Sequence, residues 1–243
     1  MLTVIGLVVA LQNSSLVPGL RTRTPVLVYH DIIAHRDKSS LWFDCTTDEF
    51  KRQLDWMSKR GAHFISVDQL YYHLTTKAPI PSKAVCLTFA DGYLGFYKNG
   101  VPVLRARHIP ATMFVHTAFV GSPVGRPKMT WPQLLQLDRE GLVKIGSQTL
   151  SHPPDLRTLP QARLDKEMSM SKASLQKHLG HAVTTLAYPN GKFDARVEAA
   201  AKRAGYAIAF TEDQKPAESA PNRFSVPRYV HTKYQQAWKD AGY

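Results

Sequence analysis

Acidic, amide and imidazole side chains recur in this 243-residue chain, each time directly after a short apolar segment. Imidazoles and carboxylates can move protons near neutral pH, and both can bind a divalent metal that activates water. Repetition after successive apolar segments favours one shared site over isolated loop residues. The positions are His30-Asp31, Ala90-Asp91-Gly92-Tyr93, Gln148 to His152, Pro189-Asn190-Gly191, and Arg228 with His231.

The apolar segments that precede these residues have the length and composition of buried strands. Helical patterns lie between them, and capping-box pairs at Thr46/Glu49 and Thr158/Gln161 indicate two of the helix starts. This alternation predicts an α/β fold with a parallel sheet and helical crossovers. Seven strands in a chain of this length predict a single closed or nearly closed (β/α) barrel domain; an open doubly wound sheet is the alternative. The predicted strands are 26–29, 64–67, 85–89, 112–115, 143–145, 185–188 and 207–210.

In such barrels, functional residues lie at the carboxyl ends of the strands. The barrel prediction therefore places the polar residues on one rim. Each has a structural explanation when taken alone: Asp91-Gly92 is a common turn pair, and His30 with Asp31 could form a buried hydrogen-bonded pair. Their recurrence on one rim favours a functional site.

Three segments resemble motifs of the polysaccharide deacetylases, also called carbohydrate esterase family 4 or the NodB-homology domain. Leu87–Tyr93 resembles the family's TFDDGY motif, Ile145–Pro153 resembles GSHTxxHP, and Ala187–Gly191 is similar to YPYG. The resemblance extends in the expected order over about residues 25–230. It is strongest toward the exported poly-N-acetylglucosamine deacetylase branch.

The resemblance implies a distorted, TIM-like (β/α)7 barrel and hydrolysis of N-acetyl groups on chitin, peptidoglycan or poly-N-acetylglucosamine. It also implies a divalent metal, usually zinc, held by Asp91, His152 and the position of Gln148. The position of Ala90 is that of the general base. Asn190 stands where a backbone N–H helps to form the oxyanion hole.

Two of these positions depart from the family pattern. Ala90 has no carboxylate to accept a proton from water, and the amide of Gln148 is a poor zinc ligand compared with imidazole. Loss of a general base alone costs about 10²–10⁴-fold in rate. We therefore expect a protein that binds or acts on N-acetylated glycan, with the usual deacetylation weakened or lost. The residues expected to contact substrate are His30, Asp31, Tyr93, Trp131, Tyr188 and Pro189.

An alternative interpretation keeps the protein active as a hydrolase of C–N amide bonds. Another side chain at a strand end would then replace the missing base. His30, Asp31 and His231 are the candidates that the sequence offers.

The composition bears on partners and location. The chain has 31 Lys and Arg against 19 Asp and Glu, a formal charge of +12, without a nucleic-acid motif. This predicts no nucleic-acid partner and is compatible with an anionic cell-surface polymer.

The apolar run Leu2–Leu11 matches a signal-peptide core in length, although no Lys or Arg precedes it. Residues 1–24 are therefore predicted to be a signal or anchor segment, with a simple N-terminal strand as the alternative, and 25–243 the deacetylase-like domain. Export or attachment to a bacterial cell envelope follows, or a cytoplasmic location if the run is not a signal.

Overall fold

The computed structural model describes residues 23–243, so the predicted signal or anchor segment lies almost entirely outside the described residues. Short strands alternate with helices along the chain. The strands are β1 Val26–Tyr29, β2 Ile32–Ile33, β3 Cys45–Thr46, β4 His63–Ile65, β5 Ala84–Phe89, β6 Ala111–Val115, β7 Val143–Ser147, β8 Thr185–Ala187, β9 Ile208–Phe210 and β10 Tyr229–Val230.

The helices between these strands form the outer layer. They are α1 Thr47–Ser58, α2 Val67–Thr76, α3 Val101–Arg107, α4 Trp131–Glu140, α5 Gln161–Leu179, α6 Ala195–Arg203 and α7 Tyr234–Asp240. A π-helical turn at Phe96–Gly100 leads into α3. Among residues 23–243, no helix combines the length and apolar character that a bilayer span requires.

The main sheet has eight strands, and its pairs are all parallel. The order is β10-β1-β5-β6-β7-β8-β9, with β4 paired to β5. The segment 226–230 joins the two edges of the sheet. Val226 bridges to Phe210 of β9, and Tyr229 of β10 pairs with Leu27 of β1. Parallel strands alternating with helices, in a sheet whose edges curve toward each other, confirm the predicted α/β fold of a distorted (β/α) barrel.

Burial on both faces explains why the strands could be predicted. All four residues of β1 and all six of β5 are buried, as in parallel strands covered on both sides. The seven predicted strands all belong to the main sheet, with ends that differ from the prediction by at most two residues. The elements that the sequence did not predict are β2, β3, β10 and α7.

The helix starts follow the local capping chemistry, with one correction. Thr46 forms the predicted capping box with Glu49 at the start of α1. The box predicted for Thr158 and Gln161 is wrong: α5 begins at Gln161 with Pro160 as its N-cap. The Thr158 hydroxyl donates instead to the Asp155 carbonyl at 2.9 Å, within a short 3₁₀ turn. The preset backbone of proline therefore replaces the side-chain cap at this end.

Candidate active site

Five strand ends contribute side chains to one pocket of about 270 Å³ at the carboxyl rim of the sheet. The contributing strands are β1, β5, β7, β8 and β9, and the loop 34–44 covers one side. The parallel register brings these ends together, as the sequence predicted. The lining consists of His30, Trp42, Phe43, Asp91, Gln148, His152, Asn190 and Glu212.

Asp91 is at the centre of this arrangement. It follows β5 in a left-handed conformation with φ of 70°, which Asp tolerates better than most residues. Its backbone N–H donates to Oε1 of Gln148 at 2.8 Å. Its Oδ1 lies 3.6 Å from Nε2 of His152 and is buried, and no donor in the described part of the chain hydrogen-bonds it. The carboxylate therefore has one oxygen without a hydrogen bond beside an imidazole.

The charges around Asp91 are mostly basic. Burial alone would raise the pKa of Asp91, but His30, His152 and Lys128 outweigh it and hold the pKa below its usual value. Burial lowers the pKa of His30 below the usual value for histidine, against the opposing effect of Asp91. At neutral pH we therefore expect an ionised Asp91 beside a neutral His30.

A second group of side chains packs on the far side of Asp91. His116 follows β6, and its ring centroid is 5.4 Å from that of His152. Burial, helped by the nearby Lys128 charge, lowers the pKa of His116 to about 4. Burial also lowers the pKa of Lys128 to about 8, and its ammonium lies 3.4 Å from the centre of the Tyr93 ring. His116 and Lys128 therefore lie beside Asp91 but outside the lining of the main pocket.

The family's metal can be tested against these side chains. Asp91 and His152 fit, because an unpartnered carboxylate oxygen 3.6 Å from an imidazole nitrogen suits two donors to one ion. Gln148 does not fit: its carbonyl oxygen is already used by the backbone of Asp91, and an amide is a weak zinc ligand. Within residues 23–243, no three His, Cys, Asp or Glu side chains are arranged to hold a metal. The donor set therefore provides two of the three protein ligands.

The turn after β8 forms another wall. Asn190 has φ of 54° and Gly191 φ of 65°, and the Asn190 amide donates to the Pro154 carbonyl at 3.1 Å. A Cβ at Gly191 would lie 2.7 Å from the backbone nitrogen of Glu212, so only glycine permits this packing. The turn therefore places Asn190 in the pocket wall and presses against the segment that carries Glu212.

The structure places the predicted aromatic contacts away from this pocket. Tyr188 is fully buried, with its hydroxyl donating to the Phe224 carbonyl at 3.0 Å, and the adjacent Pro189 is also buried. Trp131 stacks on His178 with ring centroids 3.7 Å apart, and Tyr93 lies beneath Lys128. In the described part of the chain, none of these four residues is in the pocket lining.

Trp42 and Phe43 are the aromatic residues that line the pocket, and sequence reasoning missed both. Trp42 is 68% exposed, although it is one of the largest apolar side chains. A Leu-Trp-Phe run inside an otherwise polar loop was the available signal. An exposed tryptophan at a pocket mouth can stack on an apolar ligand face.

Of the three residues considered as replacement bases, only His30 lines the pocket. Asp31 is turned toward Arg126, at 3.7 Å, and lines a separate surface cavity. His231 is enclosed: its Nδ1 accepts from Gln53 at 3.3 Å, and its Nε2 donates to the Phe43 carbonyl at 3.2 Å. Both nitrogens of His231 therefore have partners within the fold.

Glu212, which follows β9, is a pocket carboxylate that sequence reasoning missed. Its Oε1 accepts from Nη2 of Arg228 at 3.4 Å. Arg228 is fully buried, and its Nε donates to the Thr211 carbonyl at 3.0 Å. The signal in the sequence was positional, because Glu212 follows its strand as closely as Asp91 follows β5.

Comparison with known proteins agrees with this architecture. The family model described as polysaccharide deacetylase matches residues 77–209. The poly-beta-1,6-N-acetyl-D-glucosamine N-deacetylase of Staphylococcus aureus is 24% identical over 197 residues, which cover 77% of this chain and 68% of that protein.

Two solved structures extend the comparison to the fold. The Streptococcus pyogenes deacetylase PplD, solved in complex with acetate, has a TM-score of 0.80 and 25% identity, covering 89% of this chain and 98% of that one. IcaB from Ammonifex degensii has a TM-score of 0.79 and 26% identity, covering 91% and 98%. Because the family model spans more than half of the sequence and the fold agrees along most of it, the chain belongs to the polysaccharide deacetylase family, with similarity to its poly-N-acetylglucosamine branch.

Proposed function

We propose that this protein binds an N-acetylated glycan at the pocket around Asp91 and removes acetyl groups far more slowly than a member with intact motifs. Poly-N-acetylglucosamine is the first candidate substrate, since a relative is named for that polymer. Chitin-type and peptidoglycan-type chains share the same acetamide group. The affinity for each of these three polymers, which the experiment below measures, decides among them.

One observation carries this proposal. Asp91 and His152 remain 3.6 Å apart in a pocket open to solvent, while Ala90 and Gln148 stand at the base and third-ligand positions. The pocket thus retains two of the residues that the family resemblance assigns to the metal but lacks a carboxylate at position 90. We therefore expect the site to bind glycan even though its rate of deacetylation is low.

The remaining side chains define what the pocket can do. We expect Trp42 to stack on a sugar face and the backbone N–H of Asn190 to donate to a developing oxyanion. Asp91 and His152 would hold a divalent metal, which supplies a Lewis acid for the carbonyl oxygen when bound. Because only two protein ligands are in place, we expect the affinity for the metal to be weak.

A second candidate function is an active amide hydrolase with a different base. His30 favours it, because this side chain lines the pocket with a buried Nδ1 that no donor in residues 23–243 satisfies. A neutral imidazole beside Asp91 could accept a proton from water.

We further propose that the protein acts outside the cytoplasm at a bacterial cell envelope, because the apolar run at 2–11 resembles a signal segment and the glycans considered are extracellular.

Calorimetric titration and acetate release test the proposal together. The probes are pentamers of β-1,6-linked N-acetylglucosamine, chitopentaose and a peptidoglycan fragment. We expect saturable binding to at least one probe, and a rate about 10²-fold or more below that of the variant Ala90→Asp/Gln148→His. Absence of binding to all three probes would overturn the proposal. A double variant that neither binds zinc nor releases acetate would show that the pocket has diverged beyond these two positions.

A further inference from the structure

We propose that Glu212 supplies the general base that position 90 lacks, and that Arg228 positions it. This inference rests on the proposed function, since it concerns the slow hydrolysis in the same pocket. It assigns the water-activating carboxylate to the end of β9 instead of the end of β5.

Arg228 provides the first argument. Its guanidinium is fully buried, with Nε on the Thr211 carbonyl at 3.0 Å and Nη1 3.5 Å from the Thr88 hydroxyl. A buried cation is costly without a counter-charge. In the described part of the chain, Glu212 is the carboxylate that forms an ion pair with it. The fold therefore keeps a carboxylate beside this guanidinium.

The position of Ala90 provides the second argument. Thr88 and Ala90 are two residues apart, so they share one face of the extended chain at the end of β5. Arg228 contacts that face through Thr88. A carboxylate at position 90 would project toward the same guanidinium that Glu212 now contacts. Glu212 thus approaches, from the end of β9, the region that the missing carboxylate would occupy.

The availability of Glu212 provides the third argument. Its side chain lines the pocket together with Asp91 and remains 26% exposed. Oε1 contacts Arg228, while no donor among residues 23–243 hydrogen-bonds Oε2. The Gly191 turn packs against its backbone and restricts its movement. One oxygen is held and the other is free to accept a proton from water.

The reaction balances with this single carboxylate. Water forms a C–O bond to the acetyl carbon, and its proton passes to Oε2 of Glu212. The C–N bond then breaks, and the same proton passes from Glu212 to the departing nitrogen. The products are the free amine of the sugar and acetic acid, which ionises by transferring its proton to the amine or to solvent.

A double-mutant cycle between Glu212→Gln and Ala90→Asp tests this assignment. Glutamine retains an oxygen that can accept from Arg228, so circular dichroism should show an intact fold. It cannot act as a base. In the natural sequence we expect Glu212→Gln to lower acetate release about 10²–10⁴-fold and to leave glycan affinity unchanged. With Asp at position 90, the same change should cost less than about tenfold, because the base is restored. Asp213→Asn is the matched control, because this neighbouring carboxylate is exposed.

Each other outcome overturns the assignment. An equal loss in both backgrounds would show that Glu212 only maintains the fold. Unchanged acetate release, or an inactive natural protein that still binds glycan, would refute Glu212 as base while the binding proposal stands. If His30→Gln shows the background-dependent loss instead, His30 is the base. If no glycan binds, the proposed function fails separately, and the same cycle on 4-nitrophenyl acetate then tests Glu212: a loss that does not depend on the residue at position 90 overturns the assignment.

Discussion

Replacing Asp31 with Asn should stabilise this protein at alkaline pH and have little effect at acidic pH. The side chain of Asp31 is only 11% exposed, and its Oδ1 has no hydrogen-bond partner among residues 23–243. Burial raises the pKa of Asp31 from 3.8 to about 6, although Arg126 opposes the shift. Arg126 also contacts Asp44, so it does not fully compensate Asp31.

The size of the effect follows from that pKa. A raised pKa means that the folded protein binds this proton more tightly than the unfolded chain. The stability that it contributes is complete below pH 3.8 and is lost as the pH rises through about 6. A shift of about two units corresponds to about 3 kcal/mol at 1.36 kcal/mol per unit. Asn carries no charge, so the variant should avoid that loss.

Urea denaturation at pH 4 and pH 8 measures the difference. The free energy of unfolding of Asp31→Asn relative to the natural protein should rise by as much as about 3 kcal/mol between these values. Asp48→Asn is the control, because Asp48 is exposed and its change should remain within about 1 kcal/mol at both pH values. A variant that is less stable at pH 8 would refute the reasoning, since the Arg126 ion pair would then outweigh burial.

Three further predictions concern the pocket and the sheet. Trp42→Ala should weaken glycan binding about tenfold in a calorimetric titration, whereas Tyr72→Ala, an exposed aromatic outside the pocket lining, should not; equal losses would exclude stacking at Trp42. Gln148→His should tighten zinc binding at least tenfold, measured against a competing chelator, and an unchanged affinity would mean that an imidazole at position 148 does not turn toward Asp91 and His152. Gly146→Ala should lower the free energy of unfolding by about 1–3 kcal/mol in urea, because its Cβ would lie 2.5 Å from the Thr185 hydroxyl and 2.6 Å from the Phe114 ring. A neutral result would mean that both side chains can move.

The main strands could be predicted because their signal is local. A parallel strand buried on both faces is a continuous apolar run, and β5 is such a run. The two-residue strands β2, β3 and β10 have no such pattern, since pairing with distant segments defines them. The sequence places the start of α5 wrongly for two reasons. A Pro N-cap has no side-chain capping pattern, and Thr158 with Gln161 has the residue types and spacing of a capping box.

The site could be predicted to the level of strand ends but not to the level of side-chain direction. Asp91, Gln148 and His152 meet because each follows a strand of one parallel sheet. Whether a ring enters the pocket depends on the turn that carries it: Tyr188 is buried beneath its turn, whereas Trp42 reaches the mouth from a loop. Such differences arise from tertiary packing, which no spacing within the sequence records.

The two departures from the family pattern have different structural consequences. The amide of Gln148 accepts a hydrogen bond from the Asp91 backbone, so it stabilises the turn that holds the carboxylate. Ala90 supplies no charge near the buried Arg228, and a buried guanidinium requires a counter-charge from another group. Glu212 meets that requirement from β9. The need to neutralise Arg228 therefore keeps a carboxylate in the pocket, and the same carboxylate is placed to accept a proton from water.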